Sequence, residues 1–228
     1  MAIYAISDLH LSKAVPNKSM ELFGKDWENY EQRLDENWRN TVTSDDTVLI
    51  PGDISWALDI DAAYEDFAYI DSLPGNKIIL KGNHDYYFST LTKVNKFLED
   101  NKFNTIKVLN NNSFCIENIN ICGFRGWGNT EDNKVDDHKV FLREIIRLEL
   151  SLNSIEEKNK DKEIIVMTHF PPFRHEIKEI LRKYNVKTCI YGHLHGEGHY
   201  MVREGIIDEV DYKMVSGDYT KFELIKLN

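Results

Sequence analysis

What most constrains this chain is a set of five short apolar runs, at residues 3–6, 47–50, 77–80, 164–167 and 188–191. Each is too short for a helix, and most are rich in Ile and Val with little alternation of apolar and polar side chains. That is the pattern of strands covered on both faces. Helical spacings fill the intervals. Trp27, Tyr30, Leu34 and Trp38 share one helical face, as do Ala62, Ala63, Phe67 and Ile70. Residues 86–99 continue the pattern, and residues 137–157 align Phe141, Ile145, Leu148 and Leu152. At that spacing the aromatic stripe in 27–38 reads as core packing rather than a ligand cage. Strands alternating with helices imply a layered α/β domain. Residues 113–124 differ, reading as two strands joined around 117–120, and residues 199–227 read as strands without helices. Antiparallel pieces therefore join a mainly α/β core.

At 228 residues the chain is long enough to bury a sizeable core. No repeat, low-complexity segment or linker divides it, so a single domain over residues 1–228 is expected. The polar tracts 129–138 and 156–163 read as solvated loops or helix ends. Hydrophobic content of 42% and charged content of 29% suit a soluble globular protein. A net charge of −10 argues against a broad phosphate-binding face, so long nucleic acid is not an expected partner. A small phosphorylated substrate stays open, provided a local cation such as a metal offsets the charge. Cys115, Cys122 and Cys189 are odd in number and lack C-x-x-C spacing. They read as buried free thiols in a reducing compartment. The first apolar stretch follows no basic region and stops at Asp8, and no run approaches a membrane span. A cytoplasmic protein without a membrane partner is the expectation.

All five apolar runs end alike. Asp8 and His10 follow the first, Asp53 the second, and Asn83, His84 and Asp85 the third. His169 follows the fourth, and His193 and His195 the fifth. Residues two apart on an extended chain share a face, so Asp8 converges with His10 and His193 with His195. Ligands of open α/β sheets bind beyond the carboxyl ends of the strands, where every one of these residues falls. Imidazole, carboxylate and amide oxygen together suit Mn, Fe, Zn, Co or Ni. The lack of thiolates excludes a structural zinc cage. Asp8, His10, Asp53, Asn83, His169, His193 and His195 are too many donors for one catalytic metal with an open position. They suit two metals about 3.5–4 Å apart that share a carboxylate and serve a displacement at phosphorus.

The ordered set D-L-H (8–10), G-D (52–53), G-N-H-D (82–85), H (169) and G-H-L-H (192–195) resembles the calcineurin-like metallophosphoesterases. The resemblance implies a four-layer α/β/β/α sandwich of two mixed sheets flanked by helices. It implies one metal held by Asp8, His10, Asp53 and His195, and a second held by Asp53, Asn83, His169 and His193, with Asp53 as the bridge. For His84 it implies contact with the phosphoryl group or donation to the leaving oxygen, oriented by Asp85. Asp85 is also expected to cap the helix at 86–99. The implied activity is cleavage of a phosphomonoester or phosphodiester by a metal-bound hydroxide. A non-catalytic metal-binding scaffold of the same fold is the rival, and missing ligands would favour it; none is missing. A nuclease of the same fold is a second rival. The acidic balance and the lack of a basic, aromatic-interleaved groove weigh against long polynucleotides.

Substrate choice is read less directly. Segment 11–26 is a long loop directly after Asp8 and His10, a length that suits a lid or recognition element. Within it Met20, Leu22 and Phe23 suit either substrate contact or core packing, and Trp56 either a pocket wall or packing. Asn83, His84, Arg125 and Arg174 are candidates for binding substrate, the arginines by clamping phosphate oxygens. Gly52, Gly82 and Gly192 are expected where a turn needs positive φ or close backbone approach. His138, His175 and His199 fall outside the motifs and read as surface or supporting residues.

Overall fold

The computed structural model describes residues 1–128 and 135–228. Four parallel strands, β1 (Ile3–Ala5), β2 (Thr47–Ile50), β3 (Asn76–Ile79) and β4 (Ile106–Val108), form one sheet. The short β11 (Ile225–Lys226) closes it antiparallel to β1, giving the order β11-β1-β2-β3-β4. The second sheet contains β5 (Phe114–Ile116), β6 (Ile119–Phe124), β7 (Glu163–Thr168), β8 (Thr188–Tyr191), β9 (Gly205–Ile207) and β10 (Val210–Met214). Its order is β5-β6-β7-β8-β10-β9, parallel in the middle and antiparallel at both edges.

Alternation along the strands sorts the apolar side chains into three layers. Val48 and Ile50 of β2 pack with Leu34 and Trp38 of α1 (Tyr30–Thr41), Phe67 of α2 (Tyr64–Ser72) and Val94 of α3 (Leu91–Asp100). On the other side of the second sheet, Ile164 and Val166 of β7 pack with Leu148 of α4 (Val135–Asn153) and Leu181 of α5 (His175–Lys183). The remaining set, including Leu49, Ile78, Ile165, Met167 and Ile190, fills the space between the sheets. Strands that send side chains to both layers are apolar throughout, which is why they lack alternation. The result is two mixed sheets flanked by helices, the four-layer arrangement expected. No helix among the described residues is long and apolar enough to cross a membrane.

Several local expectations shift. The helix expected over 86–99 begins only at Leu91, where Thr90 Oγ1 accepts from Lys93 N at 3.3 Å, so Thr90 and not Asp85 is its cap. Trp27 precedes α1, in the short turn Lys25–Trp27. Strand β4 and helix α5 have no counterpart in the sequence reading; both are short, and α5 follows two prolines. Cys115 is exposed, because edge-strand β5 turns it away from the core, whereas Cys122 and Cys189 are buried. Of the polar tract 129–138, residues 129–134 lie outside the described residues. Within 156–163 the short turn Glu157–Asn159 is regular and Glu163 already begins β7.

Candidate metal centre

The loops beyond β1 and β2 run side by side. Asp8 N donates to Gly52 O at 3.0 Å, His10 N to Asp53 O at 3.0 Å and Leu11 N to Ile54 O at 2.9 Å. Asp8, His10, Asp53 and His193 all have positive φ, at 56°, 43°, 52° and 74°. Asp and His enter that region more readily than most residues, though at a conformational cost. Gly52 has φ of +98°, and a Cβ there would strike the Gly82 backbone and crowd His169. Gly82 answers to proximity alone, since a Cβ would overlap the backbone N and Oδ1 of Asp53. The two turns therefore fit together only as glycines.

This packing produces two side-chain groups, Asp8 with His10 and His195, and Asp53 with His169 and His193; within each, donor atoms lie within 4.8 Å of one another. The groups abut through Asp53, whose Oδ2 lies 3.8 Å from His10 Nε2 and 3.3 Å from His169 Nε2. Asn83 joins the second group, with Oδ1 2.6 Å from His169 Nε2. In the first, His195 Nε2 is 3.4 Å from both Asp8 Oδ1 and His10 Nε2. All seven sequence-derived donors thus meet at one end of the two sheets.

The donors fit cations. His169 Nδ1 lies 3.1 Å from the Pro51 carbonyl, so this nitrogen carries the proton that it donates. In a neutral ring Nε2 then presents a lone pair to two oxygens, Asn83 Oδ1 and Asp53 Oδ2. Asp53 Oδ2 is buried and accepts no hydrogen bond. Electron-rich atoms facing one another in a buried site are stable only with a cation among them. Without a metal, a proton fills that role. Burial opposes charge on His169, but Asp53 and Asp8 outweigh it and push its pKa up to about 9. His195 follows the same logic: burial opposes charge, while Asp8 and Asp218 raise its pKa to about 10. Burial dominates at His10 and His193, bringing both down to about 4. Asp8 and Asp53 stay ionised although burial disfavours it, because the neighbouring histidines hold them below the usual carboxylate range.

His84 donates its backbone N–H to Asp53 Oδ1 at 2.8 Å. Its ring lies 4.8 Å from the Trp56 ring and 5.7 Å from that of His10, with Nδ1 buried and unpartnered. Asp85 is not the helix cap foreseen for it. Its carboxylate accepts from the backbone of Asp53 at 2.9 Å, Ile54 at 2.7 Å, Ser55 at 3.3 Å and Gly82 at 2.7 Å. It staples the β2 loop to the β3 loop rather than capping a helix. Burial and the Asp53 charge push its pKa up to about 6. Arg125 faces Glu144 at 4.0 Å and lies over Trp127, while its carbonyl accepts from His169 N at 3.1 Å. Arg174 lies over the Phe141 ring at 3.7 Å and borders a cavity that includes His193. Trp56 stacks on His10 with centroids 4.8 Å apart and is a wall of the site. In loop 11–26 Met20 is buried, whereas Leu22 and Phe23 are exposed.

The sequence profile of the calcineurin-like phosphoesterases matches residues 1–197. The chain belongs to that family. Two solved structures share its fold. AQ665 of Aquifex aeolicus, a protein of unknown function, is 18% identical with a TM-score of 0.54, the alignment covering 99% of this chain and 95% of that one. TT1561 of Thermus thermophilus is 11% identical with a TM-score of 0.58, covering 99% and 97%. At these identities the likeness speaks to the fold alone. No curated protein matches the chain. Membership supports metal-dependent phosphoester chemistry, and the dinuclear centre of the family has its counterpart here in the two Asp/His groups.

This calcineurin-like phosphoesterase also uses residues that the motifs do not contain. Asp218 Oδ1 accepts from His195 Nδ1 at 2.8 Å and fixes its tautomer. His199 Nε2 approaches the other oxygen of Asp218 at 3.2 Å, whereas His138 and His175 are exposed. Ser216 Oγ donates to Asp8 Oδ2 at 2.7 Å, and the Ser7 hydroxyl bonds the same oxygen. Ser216 and Asp218 belong to an S-G-D triplet soon after β10, the strand-end pattern already seen at P-G-D (51–53). That repetition was the available signal.

Proposed function

We propose that this calcineurin-like phosphoesterase is a dinuclear metal-dependent phosphohydrolase acting on a small phosphomonoester or phosphodiester. The observation that carries the reading is the buried Asp53 Oδ2, unbonded between His10 and His169. Asp8, His10, Asp53 and His195 would hold one cation; Asp53, Asn83, His169 and His193 would hold the other. Two such cations, of Mn, Fe, Zn, Co or Ni, supply an activated water and neutralise phosphoryl oxygens. The chain's own residues prepare the rest. The Ser7 and Ser216 hydroxyls occupy Oδ2 of Asp8, the His193 N–H is shared between its two oxygens, and Oδ1 is turned toward His195. Pro51 and Asp218 hold the rings of His169 and His195 with Nε2 inward. His84, beside this cluster, would contact the phosphoryl group or give a proton to the leaving oxygen. A reducing, cytoplasmic setting belongs to the same reading, supported by three unpaired cysteines.

The test is metal content and turnover on one preparation. Protein loaded in turn with Mn, Zn, Fe or Ni is assayed on 4-nitrophenyl phosphate, bis(4-nitrophenyl) phosphate and a single-stranded oligonucleotide. We expect two metal equivalents and release of nitrophenol, with the oligonucleotide untouched. Two bound metals without hydrolysis of any ester would favour the scaffold instead.

A further inference from the structure

A cavity of about 720 Å³ includes His193, and its walls include Trp127, Phe170, Phe173, Tyr200 and Arg203. Its aromatic wall is continuous with the metal centre. The Phe170 ring lies 4.2 Å from that of His193 and 5.1 Å from that of His169, and Trp127 follows at 5.9 Å from Phe170. The turn Gly196–Met201, directly after His195, brings Tyr200 to this cavity with 83% of its surface exposed. Trp127 Nε1 is buried without an acceptor. Arg203 lies 5.4 Å from the Phe173 ring and adds positive charge.

We infer that this cavity takes the nucleobase of a nucleoside phosphate ester, a reading that rests on the hydrolase assignment above. A bare phosphate or sugar phosphate leaves such a wall unused. Flat rings use it, since base–aromatic stacking is sequence-tolerant and worth roughly 1–3 kcal/mol per base. The volume lies within the ordinary range for small-ligand sites, roughly 300–1,000 Å³. The exposed Arg203 guanidinium in the lining separates a nucleobase from a plain phenyl ring, because only the former offers ring nitrogen or carbonyl acceptors. With phosphorus at the metal centre and the base against Phe170, water adds to phosphorus as the ester P–O bond breaks. The nucleoside leaves with that oxygen protonated, and inorganic phosphate is the other product.

The experiment compares AMP, benzyl phosphate and ribose 5-phosphate on the Mn-loaded protein of residues 1–228, and separately titrates adenosine. AMP should exceed ribose 5-phosphate in kcat/KM by about tenfold or more, the scale set by one stacked base. Tyr200→Ala should cut that preference about tenfold and weaken adenosine binding, whereas Tyr64→Ala, at an exposed ring on α2, should leave the preference intact. Benzyl phosphate, an alkyl ester like AMP but with a plain phenyl ring, turned over equally to AMP overturns the nucleobase assignment. Equal turnover of all three esters without adenosine binding overturns the inference and leaves the hydrolase standing. Adenosine binding that Tyr200→Ala weakens, in a protein that cleaves no ester, supports the cavity and overturns the hydrolase.

Discussion

Among single residues, Asp53 and His84 should separate metal binding from proton transfer. Asp53→Asn removes the charge shared by both donor groups, so we expect fewer than two bound metals and turnover reduced by orders of magnitude. His84→Asn leaves every donor in place. It should retain both metals while kcat falls by roughly 10²–10⁴, the usual contribution of a positioned acid. Metal analysis beside steady-state kinetics tells the two apart; metal loss in His84→Asn would sink its assigned role. Asp218→Asn tests orientation without touching a donor. Losing the carboxylate behind His195 should weaken metal affinity roughly 10- to 100-fold, read by competition with a chelator. The donors were legible because each follows an apolar strand, where a His or Asp has no structural excuse. Asp218 was not, since the S-G-D turn that carries it is followed by Tyr219 and Thr220 rather than by further ligands.

At the scale of elements, strand cores were legible and loop functions were not. β2 and β8 match their expected limits because both faces of each are apolar. α3 started late because tight turns over Tyr86–Phe88, with Tyr86 N on His84 O and Phe88 N on Asp85 O, come before Thr90 takes the cap. The same turns free Asp85 for four backbone amides, a use that no spacing rule announces. Those amides join the β2 and β3 loops, and the join depends on Gly82. Gly82→Ala should destabilise the fold by roughly 1–3 kcal/mol, as overpacking does. Denaturant unfolding would measure it; a stability within error of the parent would show that the two loops can part without loss.

Across the whole molecule, each donor group draws from both sheets. Asp8, His10, Asp53 and Asn83 follow strands of the first sheet, and His169, His193 and His195 follow strands of the second. Metal binding therefore clamps the sheets together, and protons compete for the same atoms. In the metal-free protein, His169 and His195 sit at about 9 and about 10, above the ordinary 6.5. Their stabilising contribution is complete below pH 6.5 and disappears as pH rises through those values. His10 and His193, at about 4, act oppositely: their neutral folded forms lose stability as pH falls from 6.5 toward 4. Metal-free stability should thus peak near pH 6.5. Binding metal at pH 7 must expel the protons on His169 and His195, so uptake should release about two protons and tighten as pH rises toward 9. Calorimetric titration of metal in buffers of different ionisation enthalpy would measure the release. Heats independent of the buffer would mean that neither ring is charged in the metal-free site, and that the opposed lone pairs around Asp53 are relieved by some other rearrangement.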